Sequence, residues 1–297
     1  MSSIDKVPAS AGAEWLLAGF ALLRRAPVPL ATLAVLWGLL SMAVMVVAMA
    51  LPMAMVALQF LLVLAGPLFF AGMLWAVREV DHGRPALPSH LLQPVRDGHA
   101  VPLLLTLLPQ LLAAVVMGVL LFVLVGADQL QHLAEVLQKM QAIAEAGGQP
   151  DPEATRAMVE SLPAGRLLLW LLLVAAAFVA VKWATFVASP QILFSGAHVL
   201  DAMRNSLRAC LRNWPAMLVF YLVAGIAIFA VGMGSLLLAS LLQLLLGPMV
   251  AVVLWQFALM GVLMPVLAGA AYAAWRQMLA GGGAASVPPP APARIEV

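Results

Sequence analysis

Residues 216–275 read AMLVFYLVAGIAIFAVGMGSLLLASLLQLLLGPMVAVVLWQFALMGVLMPVLAGAAYAAW, sixty positions without one Asp, Glu, Lys, Arg or His. A helix crosses the hydrocarbon core of a bilayer in about 20 apolar residues, so this stretch is long enough to cross twice. Gly247-Pro248 divides it, because proline cannot extend a helical ladder and glycine readily closes one. Lipid offers no partner to backbone N–H and C=O groups, so apolar runs of this length are helices. The reading is a tight helical hairpin, 216–246 and 249–275. Working outward, four more runs qualify: 28–51, 53–77, 101–126 and 166–189, with Leu51-Pro52 dividing the first pair. The chain therefore reads as all-α, a polytopic membrane protein with six transmembrane helices over 1–279. The fifth run, 31 residues long, contains Gly232-Met233-Gly234, where a tilt or local break is expected.

The composition agrees. Of 297 residues, 64% are hydrophobic and 9% charged, against about 25% charged in soluble domains. That excludes a soluble enzyme, a disordered chain and a nucleic-acid-binding domain. A single cysteine, Cys210, excludes an intrachain disulfide and polythiolate metal sites. The first 25 residues carry Asp5, Lys6, Glu14, Arg24 and Arg25 and show no cleavable signal pattern, so the first apolar run is expected to stay in the membrane.

The charges give the orientation. With the N-terminus inside, twelve of the 15 basic residues fall on the inner side, among them Arg78, Arg96, Arg204, Arg208, Arg212, Arg276 and, near the inner end of helix four, Lys182. Seven acids join them there, for a net +5, and the outer side holds three basic and six acidic residues, a net −3. The positive-inside rule then places both termini on the cytoplasmic side of the membrane.

Residues 127–165 form the one sizeable extramembrane segment. Leu130, Leu133, Leu137, Met140 and Ala144 repeat at helical spacing, Gly147-Gly148 stops the helix, and Asp151-Pro152-Glu153 opens another. A small outer helical hairpin is expected. Its stripe packs either on the protein itself or on a protein partner. The Gly/Ala/Pro-rich tail 280–297 has too little apolar content for a core and is expected to be disordered. On the inner side, 198–215 places Leu200, Met203, Leu207, Leu211 and Trp214 on one helical face, flanked by Arg204, Arg208 and Arg212. That is the pattern of a helix lying among lipid headgroups. Residues 11–27 and, more weakly, 88–102 read alike.

These three segments each precede an outgoing helix, opened by Pro27, Pro102 and Pro215. The returning helices share a second mark: Gln59-Phe60 before Pro67, Lys182-Trp183 before Pro190, and Gln256-Phe257 before Pro265. Arg78 and Arg276 follow Pro67 and Pro265 by eleven residues, and Asp201 takes that spacing after Pro190. A three-unit internal repeat is expected, each unit an interfacial segment and a helix pair, related by an axis along the membrane normal.

Lys182 is the only charged residue well within a span. It either snorkels to the inner headgroups or contacts an anionic lipid or substrate. Gln59 and Gln256 either bond between helices or join Lys182 along a polar pathway. His82, His90, His99, His132 and His198 lack metal-ligand spacing, no metalloprotease or phosphate-loop motif is present, and the spans contain no acid. No catalytic residue, metal or cofactor is expected.

The stretch FVASPQILFSGAHVLDAMRNSLRACLRNWPAMLVFYLV, 186–223, carries Pro190, Asp201-Ala202, Ser206 and Arg208–Trp214, and EWLLAGFALLRRAP, 14–27, opens the chain. In these elements the sequence resembles an uncharacterised family of bacterial six-helix inner-membrane proteins. More distantly it is similar to the membrane domain found beside some glycerophosphodiester phosphodiesterases. The resemblance implies six helices and supplies no catalytic residue, since the phosphodiester chemistry belongs to a separate soluble domain. The function expected is a non-enzymatic membrane protein that organises lipids or partner proteins, with contacts at Arg204, Arg208 and Arg212. The alternative is a transporter or channel for a lipid or small anion, through a cavity lined by Lys182, Gln59 and Gln256. The sequence is silent on oligomeric state.

Overall fold

The computed structural model describes residues 4–145, 153, 156 and 163–280. Six helical spans long and apolar enough to cross a membrane run over Pro27–Ala50, Met55–Asp81, Ala100–Val125, Ala164–Ser195, Trp214–Leu246 and Pro248–Met278. Every regular element among the described residues is helical. The chain is an integral membrane protein of the polytopic α class. In chain order, α1 is Ala11–Arg25, α2 Pro27–Ala50, α3 Met55–Asp81, α4 Gln93–Arg96, α5 Ala100–Leu105 and α6 Leu108–Val125. Then follow α7 Ala127–Glu145, α8 Ala164–Thr185, α9 Ala188–Ser195, α10 Val199–Arg212, α11 Trp214–Leu246 and α12 Pro248–Met278. Short 3-10 turns occupy Pro52–Ala54 and Pro88–Leu92.

Two compact units divide these elements: Met1–Thr106 with Trp183–Val297, and Leu107–Lys182. The first holds the core. Its centre is α1, which the sequence places among headgroups and which instead buries Ala11, Gly12, Trp15, Leu16, Gly19 and Leu22 against α11 and α12. Small residues make that possible. A Cβ on Gly12 would lie 2.0 Å from the Ala216 carbonyl oxygen, and one on Gly19 2.2 Å from that of Val266. Lipid competes with any apolar side chain for contact, so close backbone approach is what separates a protein-packed helix from a lipid-covered one. Polar ties hold α1 and the segment before it. Asp5 N–H donates to Met278 O at 3.0 Å, Val7 N–H to Asn213 Oδ1 at 2.9 Å, and Trp15 Nε1–H to Gln277 Oε1 at 2.7 Å.

Three contacts recur around this unit. α1 packs on α12, the Pro88–Leu92 turn and α4 pack on α3, and α10 packs on α9. Each segment before an outgoing helix thus rests on a returning one.

Two spans are interrupted where the sequence reads them as continuous. α5 ends before Thr106 and α6 begins at Leu108, with Pro109 in its first turn. Thr106 Oγ donates back to Leu103 O at 2.6 Å. α8 ends at Thr185, and α9 restarts at Ala188 with Pro190 in its first turn. Both prolines remove an N–H that a continuous helix would need. Pro67 and Pro265, by contrast, lie inside α3 and α12. The break expected at Gly232-Met233-Gly234 is absent: α11 runs unbroken from Trp214 to Leu246. Gly232 O also accepts from Ser235 Oγ at 3.0 Å and Trp255 Nε1 at 3.5 Å. With no water to accept freed backbone groups, keeping the ladder closed is favoured there. The hairpin turn falls where expected, at Gly247, with φ 81° and ψ 162°, a region open essentially only to glycine.

In the second unit, Trp170 Nε1–H of α8 donates to Met117 O of α6 at 2.8 Å. α7 forms as a helix, but its stripe is not the covered face. Val136 is its buried residue, Leu130 and Leu133 are half-buried, and Leu137 and Met140 are exposed. Periodicity reports which side of a helix is most apolar, not what covers it. The Ala144 side chain, Gly147-Gly148, Asp151-Pro152 and the tail 281–297 lie outside the described residues.

Candidate membrane-surface site

α10 is built with three sides. At 100° per residue, Val199, Ala202, Met203, Ser206, Ala209 and Cys210 share one side, and all are buried. Asn213, at the end of the helix, continues this side and is also buried. The expected lipid stripe needs correction on this point: Met203 belongs to the protein-facing side and Leu207 is half-buried. The rest stands clear of the protein, with Leu200 65%, Leu211 54% and Trp214 58% exposed. Beyond that strip lie Arg204, Arg208 and Arg212, all exposed. None forms an ion pair with a described acidic residue.

The buried side locks the helix through polar groups. Ser206 Oγ donates to Trp183 O at 2.7 Å and accepts from Val187 N–H at 3.1 Å. These are backbone groups freed by the break between α8 and α9, which would otherwise be left unpaired in a buried site. Cys210 Sγ lies 3.6 Å from the same Trp183 carbonyl. Burial pushes the Cys210 thiol up to about 12, so it stays protonated and unreactive at neutral pH. Asn213 donates to Asp5 O and Ala209 O, each at 3.0 Å, while its Oδ1 takes the Val7 N–H. One amide thus ties the N-terminal segment to the junction of α10 and α11. Sequence reading singles out Ser206 and Asn213 only as parts of a resemblance. Apart from Ala209, four positions before Asn213, their partners lie 19 to 208 positions away, which no local pattern reveals.

Gln59 on α3 and Gln256 on α12 are exposed and make no hydrogen bond among the described residues. Lys182 is exposed on α8, with its Nζ 5.3 Å from the Phe178 ring centroid, a cation–π contact that partly offsets an ammonium near lipid.

Chemically, the α10 surface offers three exposed guanidinium groups beside an apolar strip. That arrangement suits a phosphate-bearing, acyl-tailed surface, because guanidinium binds phosphate through paired N–H donors while the strip enters the acyl region. Among the described residues no cluster of three His, Cys, Asp or Glu side chains is placed to hold a metal ion. Compared with known proteins, the chain matches no protein-family model, no curated protein and no solved structure.

Proposed function

We propose that the chain is a bacterial inner-membrane protein, with both termini cytoplasmic and no catalytic site of its own, that organises anionic phospholipid in the inner leaflet through α10. One observation carries this reading: α10 is fixed to the protein by a side of small and polar residues, and so presents Leu200, Leu211 and Trp214 beside Arg204, Arg208 and Arg212. A basic residue near an anionic surface contributes about 1 kcal/mol, so three held together bias the local lipid population. The recurring contacts of α1, the Pro88–Leu92 turn and α10 with returning helices support a three-unit repeat as the frame that positions α10.

Replacing Arg204, Arg208 and Arg212 together by Gln tests the reading. In mixed bilayers, enrichment of phosphatidylglycerol around the reconstituted protein falls about tenfold or more. The melting temperature is unchanged, because none of the three lies on the buried side. Unchanged enrichment would sink the proposal. Exposed Leu137 and Met140 on α7 favour a protein partner as a second associate. The transporter or channel reading rests on Lys182, Gln59 and Gln256, of which Gln59 and Gln256 make no hydrogen bond among the described residues.

A further inference from the structure

A second cluster of arginines lies at the ends of α3 and α12, away from α10's strip. Asp81 is its one carboxylate. It accepts from Arg276 at 2.6 Å and from the Tyr272 hydroxyl at 3.3 Å, and lies 3.7 Å from Arg25. The neighbouring Glu79 is taken by Arg84. Arg78 is left with no acidic partner among the described residues, although it is half-buried. Its guanidinium is held by rings instead, 4.7 Å from the Phe194 centroid and 5.5 Å from that of Trp75. Ring stacking uses the faces of the guanidinium and leaves its in-plane N–H donors open. The Phe194 ring also meets Trp275, at 5.4 Å, whose buried indole Nε1–H has no acceptor. Buried donors without acceptors are rare, and here one borders the same ring as an unpaired guanidinium. Tyr272, which stacks edge-on to Phe194 at 5.8 Å, carries the Arg276 guanidinium at 5.7 Å.

We propose that Arg78, Arg276 and the Trp275 indole N–H form a binding site for one phosphate group, carried by an anionic lipid headgroup or free in solution. Arg25 and Arg276 share the Asp81 carboxylate, Arg78 forms no ion pair with a described acid, and planar donors preset by ring contacts suit the oxygens of a phosphate. The repeat marks give the origin of the site: Arg78 and Arg276 each follow a helix proline by eleven residues, on helices that pack together. The proposal rests on the membrane-lipid reading above but uses different residues.

The test uses the full chain in neutral detergent, with two probes. The first is retention of phosphatidic acid against phosphatidylcholine of the same acyl chains, read by native mass spectrometry. The second is stabilisation by inorganic phosphate against chloride at equal ionic strength. Arg78→Gln is expected to lower retention of the anionic lipid about tenfold, the loss of one charge-assisted contact, and Arg78→Lys to restore it in part. In the Arg204, Arg208 and Arg212 triple variant, where the α10 contribution is gone, Arg78→Gln is expected to lower the remaining retention about tenfold, which separates the two lipid sites. Stabilisation by inorganic phosphate that Arg78→Gln abolishes, without lipid preference, assigns the site to the free anion. Folded Arg78→Gln protein that binds both probes like wild type would overturn the proposal. Should that variant not fold, Trp275→Phe keeps the ring and removes only the donor. It must still weaken phosphate or lipid binding about threefold, and unchanged binding would overturn the site equally.

Discussion

The spans Met55–Asp81 and Ala164–Ser195 have nearly the same hydropathy, 2.2 and 2.3, yet the first buries 33% of its most apolar window and the second none. Ala100–Val125 is the most apolar of the six and buries 6%. Hydropathy thus marks a crossing but says nothing of what surrounds it. What distinguishes the packed unit is small residues at crossings, where one backbone comes close to another. α3 accepts Leu91 of the Pro88–Leu92 turn against Gly72, where a Cβ would come within 2.5 Å of the Leu91 Cα. In Leu107–Lys182, Gly118 and Gly165 meet nothing within 4 Å. Their glycines do not mediate packing, and lipid is the proposed cover for the helices that carry them.

Glycine substitutions break this comparison most sharply. Gly19→Ala in the packed unit should lower stability by about 3 kcal/mol or more, since the new methyl meets backbone that cannot turn aside. Gly118→Ala should be neutral or add up to about 1 kcal/mol through helix propensity. Thermal unfolding of the two purified variants reads the difference, and equal shifts would erase the distinction between the units. Next in size is Asn213→Ala, which leaves Val7 N–H and Asp5 O without their side-chain partner and should cost about 2 kcal/mol. Limited proteolysis near the N-terminus should quicken with it. Smallest is Lys182→Met on the exposed side of α8: abundance and melting temperature should barely change, and a collapse of either would mean that Lys182 is structurally required.

The sequence makes the six crossings legible because twenty-residue apolar runs and proline breaks are local signals. The C-terminal ends of α2, α6 and α11 fall within one residue of the expected bounds. Interruptions at Thr106 and Phe186 were not legible, since Pro109 and Pro190 look no different in sequence from Pro67 and Pro265, which their helices absorb. α10 shows why a candidate site is only half readable. Its leucines and arginines announce a membrane surface, but its protein-facing side is Ala202, Ser206, Ala209 and Cys210, the small residues that apolar periodicity passes over. The same blindness places α1 among headgroups when its glycines put it in the core. Arg78 and Arg276 are visible as matched positions, but only the fold brings Phe194, eight positions before Ala202, against Arg78 and Trp275.

The most direct measurement is the depth and lipid contact of α10. Cys210 is the sole cysteine, so Cys210→Ala gives a background in which Leu211→Cys carries one fluorophore. Reconstituted with lipids brominated near the headgroup, the label should be quenched strongly, more by anionic than by neutral lipid, and little by aqueous iodide. Quenching by iodide alone would show that the Leu200–Leu211–Trp214 strip faces water, and would contradict the assignment of α10 as the lipid-organising surface.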